Sequence, residues 1–276
     1  YIDYLCAYGP IIIGYREEEI DNAVIDQIKN KGICFSLTQA VQNALVKKLR
    51  ELIPCCDMAA LVKTGSDATT IAIRVARGYT GKTKIARCGY HGWHDWCVEV
   101  KGGIPQKLYE DIYEFHYNDI DSLEAILKAN KDDMAGIIVT PVGHPNGAEV
   151  QMPKPGYLEA VRELANQYNC LLIFDEIRSG FRCSLGGAQK LFGITPDLST
   201  IGKAMANGYA IAALVGKEEY MKVLADKVFL SSTFFPNSDG IVAALKTIEI
   251  LERDKVLDVV AEKGRKFGTE VEKVVA

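Results

Sequence analysis

CLLIFDEI, Cys170–Ile177, is the stretch whose reading decides the fold. Its apolar residues follow one another without alternating with polar ones. That pattern suits a strand covered on both faces, as in a parallel sheet. Outward from it the chain keeps one rhythm. Helical periodicity marks 38–52, 67–79, 156–168, 217–226 and 239–253. Short apolar runs stand between: KIARC (84–88), GIIVTPV (136–142), AALVG (212–216) and VFLSST (228–233). Strands alternating with helices predict an α/β domain with a mainly parallel sheet sandwiched by helices. No internal repeat, low-complexity tract or long linker interrupts it. The expected division is an N-terminal segment, 1–35, belonging to a small domain; a large domain, 36–250; and the start of a truncated C-terminal small domain, 251–276.

Composition narrows the function classes. Of 276 residues, 48% are hydrophobic and 25% charged, which is ordinary for a globular protein with a large core. A net charge of −4 gives no reason to expect nucleic acid or an acidic membrane as partner. No apolar run reaches the roughly 18 residues that a membrane helix needs. The eight cysteines form no C-x-x-C pair, and several lie in apolar runs. They read as reduced thiols of a cytoplasmic protein. The chain opens at Tyr1 rather than methionine, so it reads as a fragment and a lost targeting segment stays open.

Chemistry is suggested where strands end. Asp175 and Glu176 follow LLIF directly, and ligands of open α/β sheets bind beyond the strands' carboxyl ends. A solvated acid pair is the plain alternative. At Thr64-Gly65-Ser66 an apolar stretch ends and a helix begins near Asp67. Free N–H groups there bind phosphate, and glycine lets the backbone come close; an ordinary cap is the plain alternative. GYTGKT (78–83) ends like a P-loop, but Ala76 stands where the pattern needs glycine, and the segment follows a helix instead of a strand. YHGWHDWC (90–97) offers His91, His94, Asp95 and Cys97. His116 and His144 are isolated from it, so no metal is expected; its aromatic residues suit stacking on a ring. Lys203 lies in the apolar segment DLSTIGKAMANGYAIAALVG (197–216), with no carboxylate within five residues. A desolvated lysine becomes a nucleophile toward aldehydes; a surface lysine is the commoner case. Schiff-base chemistry with pyridoxal phosphate needs an amine, a carboxylate for the pyridine nitrogen, a phosphate cradle and a stacking ring. Lys203, Asp175, Gly65-Ser66 and Tyr90 supply a candidate for each.

In TGSDATTIAIRVAR, CGYHGWHDW, LLIFDEIRSGFR, LGGAQKLFGITPDLSTIGKAMANGY and SSTFFPNS, in that order, the chain resembles the class III pyridoxal-phosphate aminotransferases, in the branch of the glutamate-1-semialdehyde aminomutases. The opening YIDYLCAYGPIIIGY looks like that family's N-terminal strand region. The resemblance implies fold type I, pyridoxal 5′-phosphate as cofactor, small-molecule amine and keto or aldehyde substrates, and a homodimer with shared sites. It implies that Lys203 forms the aldimine and shuttles the proton, and that Asp175 keeps the pyridine nitrogen protonated. It places Ile177 and Tyr90 on the two ring faces, with His91 at the cofactor within the stacking motif. Gly65 and Ser66 hold the phosphate, Thr233 does so across the dimer interface, and Tyr8 lines the substrate side.

There are departures. Thr140-Pro141 stands where the family has Glu-Pro, which bears on substrate preference at Thr140. Residues 98–114 are shorter than an aminomutase gating loop, and retaining an intermediate needs a lid. The expected reaction is therefore transamination, with aminomutase-type intramolecular transfer and a non-catalytic pyridoxal-phosphate-binding relative as the alternatives.

Overall fold

The computed structural model describes residues 1–143 and 150–275, so His144 lies outside the described residues. Its strands are β1 (Met58–Val62), β2 (Lys84–Cys88), β3 (Ile112–Glu114), β4 (Met134–Val139), β5 (Leu171–Glu176), β6 (Leu198–Ile201) and β7 (Ala212–Gly216). Its α-helices are α1 (Glu18–Asn30), α2 (Ala40–Leu52), α3 (Gly65–Thr80), α4 (Ile120–Ala129), α5 (Tyr157–Gln167), α6 (Gly187–Phe192), α7 (Glu218–Met221), α8 (Ser238–Arg253) and α9 (Val256–Val275). The strands form one sheet in the order β1-β7-β6-β5-β4-β2-β3. β7 runs antiparallel to β1 and β6; the other pairings are parallel. All strands but β7 therefore end at one edge, and the loops leaving that edge carry the candidate site residues.

Alternation along β5 explains why both faces are covered. Leu171 and Ile173 pack with Ile71 and Val75 of α3, whereas Leu172 and Phe174 pack with Leu123 of α4 and Val161 of α5. Each such fully buried side chain contributes about 1.5–3 kcal/mol. Another cluster joins Ile20 of α1, Leu45 and Leu49 of α2, and Ile241 and Ile248 of α8 to Ala213 and Val215 of β7. α9 has no buried residue. Among the described residues no helix is long and apolar enough to cross a membrane.

Three local expectations are corrected. Residues 228–233 form no strand: Val228 is buried against Gly78 of α3, Phe229 is exposed, and the chain then turns. Val228 leans on α3 instead of extending the sheet. Residues 1–15 form turns rather than a strand. They are held by Asn207, whose Oδ1 accepts from Ile12 N and Ile13 N at 3.0 Å and whose Nδ2 donates to the Gly14 carbonyl at 2.9 Å. The helix expected over 217–226 breaks after Met221 into a 3₁₀ turn, Lys222–Ala225.

Candidate active site

Asp175 lies near the carboxyl end of β5. Strand alternation sends it to the same side as Leu171 and Ile173, while Glu176 turns to the opposite side. Buried Glu176 caps α6: it accepts from Ala188 N, from Gln189 Nε2 at 2.9 Å and from Ser179 Oγ at 3.0 Å. Burial pushes its pKa up. Asp175 is 4% exposed and is held from three directions. Oδ1 accepts from Ile177 N and Thr200 Oγ1, both at 3.1 Å, and Oδ2 accepts from His91 Nδ1 at 2.8 Å. That bond places a proton on His91 Nδ1, and among the described residues Nε2 is a buried atom without a partner. Thr200 reaches Asp175 because the β5–β6 register pairs the two residues.

Lys203 follows β6 and opens a 3₁₀ turn, Lys203–Ala206, with φ 44. Left-handed backbone is costly for a lysine and clusters at functional sites. Nζ donates to the Tyr8 carbonyl at 3.0 Å. Burial lowers its pKa, the charges of Arg178 and Arg182 add to that, and Asp175 opposes it.

After β1 the chain enters α3 through a capping box. Thr64 Oγ1 accepts from Asp67 N at 3.1 Å, and Asp67 Oδ2 accepts from Thr64 N at 2.8 Å. The first-turn N–H groups of Gly65 and Ser66 have no intrahelical partner. A Cβ on Gly65 would press on Ile177 at 3.1–3.2 Å, so the missing side chain keeps this approach open. Gly92, at φ 114, is packed as closely: a Cβ there would lie 3.0 Å from Ser66 Cα. The backbone after β2 thus lies directly on the start of α3.

These pieces surround one cavity of about 330 Å³, a size ordinary for a small-molecule site. The structure brings Gly65, Ser66, Tyr90, His91, Thr140, Asp175, Ile177 and Lys203 together around it. Thr140 Oγ1 is buried there without a partner among the described residues. Tyr90 is 46% exposed and also borders a second cavity, of about 700 Å³, which Tyr8 helps to line. Thr233 is exposed and lines neither cavity. His94 is engaged elsewhere, with Nδ1 2.7 Å from Thr70 Oγ1. Among the described residues no group of three or more metal-ligating side chains gathers. Sequence reasoning missed Thr200 and Arg178, whose roles depend on strand register and on the meeting of two loops. All eight cysteines are free thiols.

The sequence profile of the aminotransferase class-III family matches residues 1–276. The chain is 91% identical over 275 residues to the 3-aminobutyryl-CoA aminotransferase of Cloacimonas acidaminovorans (strain Evry), covering 100% of this chain and 66% of that protein. It is 39% identical to the glutamate-1-semialdehyde 2,1-aminomutase of Sulfolobus acidocaldarius, over 94% of this chain and 64% of that protein. The chain thus spans slightly less than two thirds of each. Among solved structures it is similar to the FumI protein of Sphingopyxis sp. MTA144 in its PLP internal aldimine form, with TM-score 0.88 and 32% identity over 91% of this chain and 61% of that one. An omega-transaminase from Sphaerobacter thermophilus gives TM-score 0.85 and 29% identity over 90% of this chain and 62% of that one.

Proposed function

Because the chain belongs to the class-III aminotransferase family, we propose that it is the cofactor-binding part of a pyridoxal-5′-phosphate-dependent aminotransferase, moving an amino group between an amine donor and a keto or aldehyde acceptor. The observation that carries this reading is the convergence of Lys203 and Asp175 on one cavity beside the N-terminus of α3. The residues fit the cofactor. Gly65 leaves room at a helix start with unpaired N–H groups, which suits a phosphate. Asp175 is a buried carboxylate held in place by three donors. Lys203 is a half-buried amine whose pKa is lowered.

When bound, pyridoxal phosphate supplies an aldehyde carbon and an electron-accepting ring. Lys203 Nζ would hold it covalently, Gly65 and Ser66 its phosphate, Asp175 its ring nitrogen, and Ile177 and Tyr90 its two faces. His91 keeps Asp175 oriented through the Nδ1 bond. Asp175 keeps a proton on the ring nitrogen, because a cation there is stable in a poorly hydrated site only beside a carboxylate. Lys203 loses its proton more readily than an exposed lysine, which suits a group that moves the proton of the substrate's amine-bearing carbon. Thr140 lines the same cavity and would bear on substrate preference.

The substrate class we propose is a β-amino acyl thioester, after the 91% identical relative. Aminomutase-type transfer is the second reading, favoured by the 39% identical relative. We also propose a cytoplasmic homodimer in which exposed Thr233 serves the neighbour's phosphate, with 1–35 and 251–276 belonging to a small domain completed by further chain.

The test is the near-visible spectrum of the purified protein with pyridoxal phosphate, before and after borohydride, followed by peptide mapping. A band removed by borohydride, with the label on Lys203, is expected. No band, or a label elsewhere, defeats the reading. Requirement for an external acceptor then separates aminotransferase from aminomutase.

A further inference from the structure

The two cavities share Tyr90, Arg178 and Lys203. The second therefore opens onto the lysine amine, at the end of the first where the substrate's reacting carbon must lie. Arg178 stands at this junction. Among the described residues no hydrogen bond or ion pair occupies its guanidinium, although it is half-buried. Its neighbour Arg182 is already committed, donating from Nη2 to the Gly9 carbonyl at 2.8 Å. A guanidinium stays charged and offers a planar fork of donors. Half-buried on the wall of both cavities, its fork of donors is open to a ligand oxygen, which would gain a charge-assisted bond there.

We propose that Arg178 is a specificity-determining residue: its guanidinium holds the acyl oxygen of a β-amino acyl thioester while the second cavity takes the thioester arm. This rests on the aminotransferase reading. Two sources could supply that oxygen, a free carboxylate or a thioester carbonyl, and cavity size favours the second. At about 700 Å³ the second cavity is roughly twice the first, and a small free amino acid would leave most of it unfilled. Its lining sets the apolar and aromatic surface of Tyr4, Leu5 and Tyr8, which suits a flexible amide and thioether chain, beside the cations Arg178, Arg182 and Lys203. Arg178 and Lys203 line the same junction of the two cavities, so an acyl oxygen bound at Arg178 would lie on the reacting amine's side.

The test uses the holoenzyme and calorimetric titration with butyryl-CoA, which carries the acyl oxygen and the arm but no amine. Butyrate and coenzyme A serve as controls. The parent should bind butyryl-CoA more tightly than either control. Loss of a charge-assisted bond in Arg178→Met should weaken that binding by about tenfold to a hundredfold, with coenzyme A little changed. Arg178→Lys, which keeps the charge but not the fork, should fall between. Equal affinity in the parent and Arg178→Met overturns the proposal, as does failure of the parent to bind butyryl-CoA. Butyrate binding as tightly as butyryl-CoA overturns the thioester assignment in favour of a free carboxylate. The borohydride-fixed adduct on Lys203, recorded on the same samples, reports separately on the aminotransferase reading: its absence from the parent defeats that reading, whatever the titrations give.

Discussion

Asp175→Asn separates the carboxylate's charge from its place in the fold. In the structure Oδ1 accepts two bonds and Oδ2 one. Asparagine keeps an oxygen for Ile177 N and Thr200 Oγ1 but turns an NH₂ toward His91. The clash of two donors is relieved if His91 carries its proton on Nε2 instead, which has no partner among the described residues to oppose the change. The stability loss should thus stay near that of one hydrogen bond, about 1 kcal/mol. For a chain of this size that lowers Tm by roughly 2–4 °C. Function should fall much further. Removing one member of a buried ion pair costs about 3–5 kcal/mol. At about 1.4 kcal/mol per decade, turnover should drop by on the order of 10²- to 10⁴-fold. Thermal melting and amine-dependent turnover on the same preparation measure both. Turnover within tenfold of the parent would refute a role for the charge. A Tm loss beyond about 10 °C would show Asp175 to be a structural keystone instead.

Lys203→Met should stabilise the cofactor-free protein near neutral pH, since burial lowers the pKa of Lys203 below its unfolded value of 10.5. The penalty of its charged form is full below the folded pKa and vanishes as pH rises through it toward 10.5. The Tm gain should therefore shrink in alkaline melts, and a gain that grows with pH contradicts the assignment. Gly92→Ala forces a Cβ onto Ser66 at a left-handed φ of 114. It should cost about 1–3 kcal/mol and weaken cofactor retention in equilibrium dialysis; full retention would mean that Ser66 is not part of the cradle. Mixing Lys203→Ala with Thr233→Ala, each impaired alone, should restore activity above the sum of the two, because a mixed dimer has one intact shared site. No recovery after verified subunit exchange would contradict the shared site.

Much of the fold was legible because local chemistry repeats along the chain. KIARC and AALVG are strands over the residues their apolar runs predict, and LLIF is covered on both faces as its lack of alternation requires. Residues 228–233 misled for the same reason: their composition suits a strand, but no local signal says whether a sheet edge or a helix surface will receive them. The site divides similarly. Lys203, Asp175 and the Gly65-Ser66 turn were marked in the sequence because strand ends and helix starts are where an α/β sheet exposes ligand-binding groups.

Only the tertiary structure decided how these groups are tuned. His91 reaches Asp175 across 84 residues and Thr200 across 25, and the Tyr8 carbonyl meets Lys203 across 195. Arg178 sits where two cavities join, without a partner among the described residues. By itself the sequence determined which residues are apolar, which can carry charge and where the buried strands of the sheet lie, since those follow from side-chain chemistry over a few positions. Register, strand order and the meeting of distant loops decided which of those groups touch, because such contacts are set by the packing of the whole sheet and leave no period in the chain.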